Sequence, residues 1–236
     1  MGSGLIRSMS TWGGGVLSDS VPSGYLDELG EASVCDISDA CERLRSPAVR
    51  TGAILPAFTG CASVAGVVST VTLAVGDGLP LGALLDTLAD ARGDIMLVDL
   101  GGRTDVQCWG TTLAAAAVAC GKRAAIVNGA VRDVEGLAAA GFPTFARGVY
   151  PARMSGRLSL VGACLNVAID GATVASGSVA AASASGIVFL PRERAGEVFA
   201  LARNIAAAEL SLLADVRAAA DPAAALRLIR NSQERS

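Results

Sequence analysis

The apolar and polar positions of this chain follow two regimes that change over near residue 142. Before that point, apolar runs alternate with segments of helical period. Residues 22–32 (PSGYLDELGEA) and 36–44 (DISDACERL) read as amphipathic helices, the second with Ser38 or Asp36 as its cap and Ile37, Ala40, Cys41 and Leu44 on one face. A loop at 56–60 precedes the β-branched run 62–75 (ASVAGVVSTVTLAV), which predicts a long bent strand or a hairpin. A helix up to residue 91, a strand at 94–100, an Ala-rich helix at 109–120, a strand at 124–127 and a helix at 134–140 follow. Beyond residue 142 the runs 142–147, 164–169, 178–182 and 187–190 read as short strands separated by glycine-rich turns. Pro191 then opens a long helix with a stripe of Val198, Leu201, Ile205, Leu212 and Val216, and a short segment follows Asp221-Pro222. A βα half followed by a β-rich half predicts an α/β domain with sheets packed face to face, not a plain doubly wound sheet. The stripe predicts packing or an oligomer contact.

Composition adds to this picture mainly by exclusion. Just over half of the 236 residues are apolar and 17% are charged, with many Ala and Gly, which predicts close backbone packing and subunit interfaces. A net charge of -3 without basic runs argues against nucleic acid as a partner. Each apolar run is interrupted too early to span a bilayer. The start MGSGLIRSMSTWGGG lacks a signal-peptide core, and Ile6 breaks the myristoylation pattern. A cytoplasmic protein is expected, with a flexible leader at 1–20, an α/β domain at 21–203 and a C-terminal helical extension at 204–236.

The six cysteines contain no C-x-x-C and are expected as small buried hydrophobes. Histidine is absent, which removes Ser-His-Asp and Cys-His triads and H-E-x-x-H zinc sites. The single lysine, Lys122, lies at a helix end beside Arg123, away from the desolvated pocket that an amine nucleophile needs. Acid–base chemistry therefore falls to carboxylates, arginine, backbone amides or a metal-bound water.

The stretch GKRAAIVNGAVRD, residues 121–133, concentrates the candidate chemistry. A strand ends in a turn at Asn128-Gly129, and Arg132 and Asp133 stand side by side before the helix at 134–140. Asp133 reads as that helix's N-cap, so the pair lies near a positive dipole end outside a strand's carboxyl terminus, a setting for an anion or a metal. The plainer reading is a solvated Arg132 and an Asp133 that only caps. Residues 76–82 (GDGLPLG), ahead of a strand ending in Asp99, imitate a dinucleotide fingerprint, but Pro80 inside the loop and the short helix count against it. Asp36 and Asp39 read as cap and surface residues ahead of ligands.

The segments DISDACERL, GDGLPLGALLDTLADARGDIMLVDLGG, WGTTLAAAAVACGKRAAIVNGAVRD and, more weakly, GIVFLPRERAGEVFALA resemble the RraA-like family over roughly residues 34–203. That family includes 4-hydroxy-4-methyl-2-oxoglutarate aldolases and regulators that bind and inhibit a ribonuclease. The resemblance implies a swivelling β/β/α-type fold, a homotrimer or pair of trimers (a hexamer), and a site between subunits. It implies that Arg132 binds a 2-oxo acid, that Asp133 holds Mg²⁺ or Mn²⁺ largely through water, and that backbone amides of Gly110, Thr111, Thr112 and Leu113 take the substrate carboxylate. The chemistry is consistent: a divalent ion and a guanidinium stabilise the enolate left by carbon–carbon cleavage, and neither His nor Lys is needed.

Three departures stand out. Thr111 occupies the place of the carboxylate expected to steer a proton-moving water, Asn128 that of the usual Asp, and Ser183 to Gly186 that of an acidic turn, with structural effect. A metal-dependent lyase on a 2-oxo acid is thus expected, the alternatives being a non-catalytic regulator of a protein partner such as a ribonuclease, or a re-tuned reaction.

Overall fold

The structure is a computed structural model that describes residues 32–78 and 81–233. The expected leader at 1–20 and all but the last residue of the helix expected at 22–32 lie outside the described residues. In chain order the elements are α1 (Val34–Arg43), β1 (Val49–Thr51), β2 (Leu55–Pro56), β3 (Val64–Val75), α2 (Leu81–Asp90), β4 (Ile95–Asp99), β5 (Gln107–Trp109), α3 (Thr111–Ala119) and β6 (Ala124–Val131). There follow α4 (Val134–Ala140), β7 (Thr144–Val149), β8 (Leu158–Ala163), β9 (Val167–Ile169), β10 (Ala172–Val174), β11 (Val179–Ser183), β12 (Gly186–Leu190), a 3-10 turn at Arg192–Arg194, α5 (Ala195–Arg217) and α6 (Pro222–Gln233).

The long strand β3 joins the two halves. Its middle pairs in parallel with β4, which continues in parallel to β6 and β7. Its first residues pair antiparallel with β11, leading on to β12 and β1, and its last residues pair antiparallel with β8. It is one strand with a bulge between Thr72 and Leu73, not a hairpin.

Strand alternation sorts the core into three layers of contact. Ile95, Leu97, Ile126 and Phe145 of the parallel half meet Ala180, Ala182, Ile187 and Phe189 of the antiparallel half. On the opposite side of the parallel half, Met96, Val98, Ala125 and Val127 receive Leu88 of α2, Leu113 and Ala117 of α3, and Leu137 of α4. Outside the antiparallel half, Val179, Ala181 and Val188 receive Ile37 and Cys41 of α1 and Val198, Phe199 and Ala202 of α5. The result is an α/β fold with two sheet halves face to face and helices on both outer sides. Each large apolar side chain buried this way contributes about 1.5–3 kcal/mol before conformational entropy is counted.

Several elements differ from expectation. α1 starts at Val34, because Ser33 is the cap: its hydroxyl accepts from Asp36 N (3.1 Å), and the Asp36 carboxylate accepts from Ser33 N (2.8 Å). Trp109 belongs to β5, so the Ala-rich helix begins only at Thr111. β6 runs straight through Asn128-Gly129 to Val131, with no turn there. β8 was not anticipated, and β9 is shorter than the run 164–169. Cys41 and Cys108 are buried as expected, but Cys35 and Cys164 are exposed.

Lys122 also departs from expectation. It is buried, donates to the carbonyls of Gly93 (3.0 Å) and Ala91, and has its pKa lowered by desolvation. Its ammonium ties the start of β6 to the α2–β4 connection, a structural role.

Candidate functional site

The parallel pair β5–β6 builds the site. Trp109 and Val131 are opposite one another at the ends of the two strands, and Arg132 N donates to Trp109 O (3.0 Å). The next residues, Gly110 and Arg132, therefore leave the sheet side by side. Gly110 is extended, a backbone that any residue adopts, but a β-carbon there would lie 3.0 Å from Asp133 Oδ2 and 3.2 Å from Arg132 Cγ. Glycine at 110 is what lets the two strand ends approach.

α3 starts immediately after it. The first helical bond runs from Ala114 N to Gly110 O (3.0 Å), so the amides of Thr111, Thr112 and Leu113 precede the ladder and are available to an acceptor.

Asp133 stands at the N-cap of α4 with φ 56°, left-handed, and its carboxylate makes no cap hydrogen bond. The expected capping role is thus corrected. The left-handed turn sends the side chain towards α3 instead, where Oδ2 accepts from Thr111 Oγ1 (3.2 Å) and lies 3.3 Å from Arg132 Nε. A non-glycine residue held left-handed among ligand-type groups fits the usual location of backbone strain at working sites. Gly136 permits this approach of α4 to α3, since a β-carbon there would come within 2.4 Å of Thr111 Cγ2.

A cavity of about 200 Å³ opens at this point. Gly110, Thr112, Leu113, Arg132 and Asp133, five of the six expected site residues, line it. Thr111 does not, because its hydroxyl is turned to Asp133. Four further wall residues were missed: Gln107 on β5, and Arg153, Met154 and Ser155 after β7. Nothing periodic marks the stretch YPARMSGR, but parallel pairing of β6 with β7 brings their carboxyl ends to the same side.

Among the described residues, no group of three or more His, Cys, Asp or Glu could hold an ion. Asp133 offers one half-exposed carboxylate beside an open cavity, which suits only a hard, mostly hydrated ion of the Mg²⁺ type and not a zinc cage.

Behind the site lies a polar chain. Asn128 donates through Nδ2 to Asp99 Oδ1 (2.7 Å) and to Ala168 O (3.2 Å), and its Oδ1 accepts from Arg147 Nε. Arg147 also donates to Asp170 Oδ1 (2.6 Å). An Asp at 128 could not donate to Asp99, so the amide suits this network. Asp99 Oδ1 accepts from both Asn128 Nδ2 and Gly101 N (2.9 Å), which ties this acid into the network at its strand end.

This fold and this cleft define a recognisable class. The RraA-like family (Aldolase/RraA) matches residues 34–189, and the chain belongs to it. Protein DlpA of Legionella pneumophila is 29% identical over 107 residues, 45% of this chain. The chain spans 17% of that relative's length and 60% of a second curated relative's. An uncharacterized protein from Pseudomonas syringae pv. tomato shares the fold, with a TM-score of 0.74 at 23% identity over 87% of this chain and 98% of that one. The RNA-processing inhibitor RraA from Thermus thermophilis gives a TM-score of 0.55 at 26% identity over 68% and 93%.

Proposed function

We propose that the protein is a metal-dependent lyase of the aldolase or oxaloacetate decarboxylase type, acting on a 2-oxo acid. The observation that supports this best is the convergence of Arg132, the leading amides of α3 and the Asp133 carboxylate on one small cavity. Arg132 forks the substrate carboxylate with two parallel donors, and the amides of Thr112 and Leu113 complete its coordination. Asp133 would hold Mg²⁺ or Mn²⁺, which when bound would supply Lewis-acid stabilisation of charge on the keto oxygen. Leu113 and Met154 form apolar wall that limits water around that charge. Thr111 holds the Asp133 carboxylate in place and, as a hydroxyl, takes no proton near neutral pH.

The test is pyruvate release from oxaloacetate with Mg²⁺, after the rate of the metal alone is subtracted. We expect weak release from the natural chain and none from Asp133→Asn. Equal release from both would refute the assignment.

Position 111 favours a second reading. With no carboxylate there, Asp133 is the only acidic side chain among the described residues of the cavity wall, as suits a non-catalytic regulator that binds a protein partner such as a ribonuclease. The similarity to the Thermus RNA-processing inhibitor points the same way. Absence of pyruvate from every variant, together with inhibition of a ribonuclease by the purified chain, would establish it over the lyase.

A further inference from the structure

A second cavity, of about 710 Å³, shares no wall residue with the first. It opens where β1 and β10 lie beside each other without pairing. β1 is the terminal strand of its sheet and β10 pairs with β9, so each presents an unpaired backbone edge. Val49 of β1 and Val174 of β10 are in the wall, and Phe189 and Leu190 of β12 add apolar surface. Both sides of the groove are fixed in place. On one, Val68 N donates to Ser178 O (2.9 Å), Gly177 N to Val68 O (2.8 Å) and Thr70 N to Ser176 Oγ (3.3 Å), which tie the β10–β11 connection to β3. On the other, Ser46 N donates to Cys41 O (2.8 Å) and Arg194 Nη2 to Leu44 O (3.2 Å), which join the end of α1 to the turn after β12. A groove held in this way loses little entropy when a ligand enters.

Its charge is uneven. Arg192 in the wall and Arg45, just before Pro47 of the wall, are exposed, and among the described residues no carboxylate lies within ion-pair distance of either. Neighbouring arginines do have partners: Glu42 for Arg50 (3.4 Å) and Glu197 for Arg194. Glu193 is the one acid among the described residues of the wall, so two guanidiniums stand against one carboxylate on a chain whose net charge is -3. Arg45 also holds the left-handed position that ends α1 (φ 49°), where glycine is the usual residue. An arginine retained there despite the backbone strain is retained for its side chain.

We propose that this groove binds an extended acidic segment of a partner protein, whose backbone pairs with the β1 edge, whose carboxylates meet Arg45 and Arg192, and whose alternate apolar side chains face Val49, Val174 and Phe189. Strand addition at an exposed edge supplies main-chain hydrogen bonds, and the apolar surface and charges supply selectivity. A polyanion without a peptide backbone matches the arginines but neither the strand edge nor the apolar surface. The proposal is independent of the reading of the first cavity as a 2-oxo acid site.

The probe is a fluorescent heptapeptide of alternating glutamate and valine, followed by anisotropy with the full chain, beside a counterpart with lysine for glutamate. The acidic peptide is expected to bind roughly tenfold or more tightly than the lysine peptide at low salt, with the gap narrowing as salt rises. Methylating one alternate set of its backbone amides should abolish binding and methylating the other set should spare it, because a strand pairs with β1 along one edge. Arg192→Ala and Arg45→Gly should each cut the preference at least about threefold. Arg45→Gly should melt no lower than the wild type, since glycine suits the left-handed backbone, so its effect on the peptide is not a loss of folding. Equal affinity for the two peptides, an unchanged preference in both variants, equal effects of the two methylation patterns, or no binding of either peptide at millimolar concentration would overturn the proposal. A lower scattering mass for Arg192→Glu with unchanged peptide binding would also overturn it, by making the groove a contact between copies of this chain.

Discussion

Thr111 shows how much one side chain decides at this site. Its hydroxyl is 3.2 Å from Asp133 Oδ2, so Thr111→Asp would put two carboxylates in contact, which raises the proton affinity of one of them. A divalent ion relieves that repulsion. Mg²⁺ is therefore expected to raise the melting temperature of Thr111→Asp more than that of the wild type, and pyruvate release should rise, by up to about 10²-fold if a water-steering carboxylate is restored. Melting curves with and without Mg²⁺, run beside the pyruvate assay, check both; no metal-dependent stabilisation would show that the two groups do not share an ion. Gly110→Ala probes the same geometry from the other side. Its backbone is permissive, so the fold should survive, but the new methyl must displace Asp133 or Arg132, and Mg²⁺ binding by calorimetry should be lost. Asp133→Asn is the cleaner control than Asp133→Ala, since Asn tolerates the left-handed backbone and can still accept from Thr111. The penalty of about 1 kcal/mol for loss of a helix-capping Asp should not appear, because no cap bond exists to lose. Arg132, Asp133 and the glycine-led start of α3 were legible because they lie within contiguous motifs. Gln107 and Arg153 were not, because only the parallel pairing of β5, β6 and β7 brings them to the cavity.

At the scale of elements, periodicity found the alternation of strands and helices up to α4 and missed what tertiary contacts impose. Asn128-Gly129 carries a strong turn signal, yet here it lies inside β6, flanked by β4 and β7. Glycine is needed there because a β-carbon would come within 3.0 Å of Leu100 Cβ and 3.3 Å of Arg103 O. Trp109 adjoins the Ala-rich run and so reads as helical, but it is fully buried in β5 and stacks on Phe142 at 6.4 Å. β8 is mostly exposed or half-exposed, so its sequence carries little apolar alternation to mark it as a strand. Lys122 is the element-scale error with the clearest consequence. Replacing it by Met would leave the carbonyls of Ala91 and Gly93 without its donor, at a cost of roughly 1–3 kcal/mol. Desolvation holds its pKa below the ordinary lysine value, so between the folded and unfolded values the unfolded chain binds more protons and stability rises with pH. Urea midpoints at increasing alkaline pH should therefore show an upward contribution in the wild type that Lys122→Met lacks. Identical slopes would mean that the amine is not desolvated.

The whole molecule carries more apolar surface than its fold consumes. Val75, Val149 and Val161, each more than half exposed, lie on β3, β7 and β8, and Leu210, Leu213, Leu226 and Ile229 are exposed on the terminal helices. No helix among the described residues is long and apolar enough to cross a membrane, so bilayer-spanning helices do not account for this surface. Its extent and the family membership support an assembly, a homotrimer or larger, and light scattering that shows a monomer at micromolar concentration would end that proposal. The stripe expected on the long helix is only partly core. Val198 is buried and Leu201 and Ile205 pack at the margin, joined by Phe199 and Ala202, and the buried face of α5 ends at Ala206. Beyond it, α5 packs with α6, and Leu212 and Val216 are half-buried. The core against the antiparallel sheet half should therefore not need the terminal segment. A chain ending at Ala206 keeps Val198, Phe199 and Ala202 and is expected to melt as one cooperative unit within a few degrees of the full protein, because a surface helical hairpin adds little to that core. Two measurements on this truncated chain separate the roles of its missing half. If the melting temperature holds and the scattering mass falls, the terminal hairpin is an assembly element. If both hold, the exposed valines of β3, β7 and β8 carry the contact, and Val161→Glu in the full chain should then lower the mass by burying a charge between subunits. A collapse of the melting transition on truncation would refute the independence of the core from the hairpin.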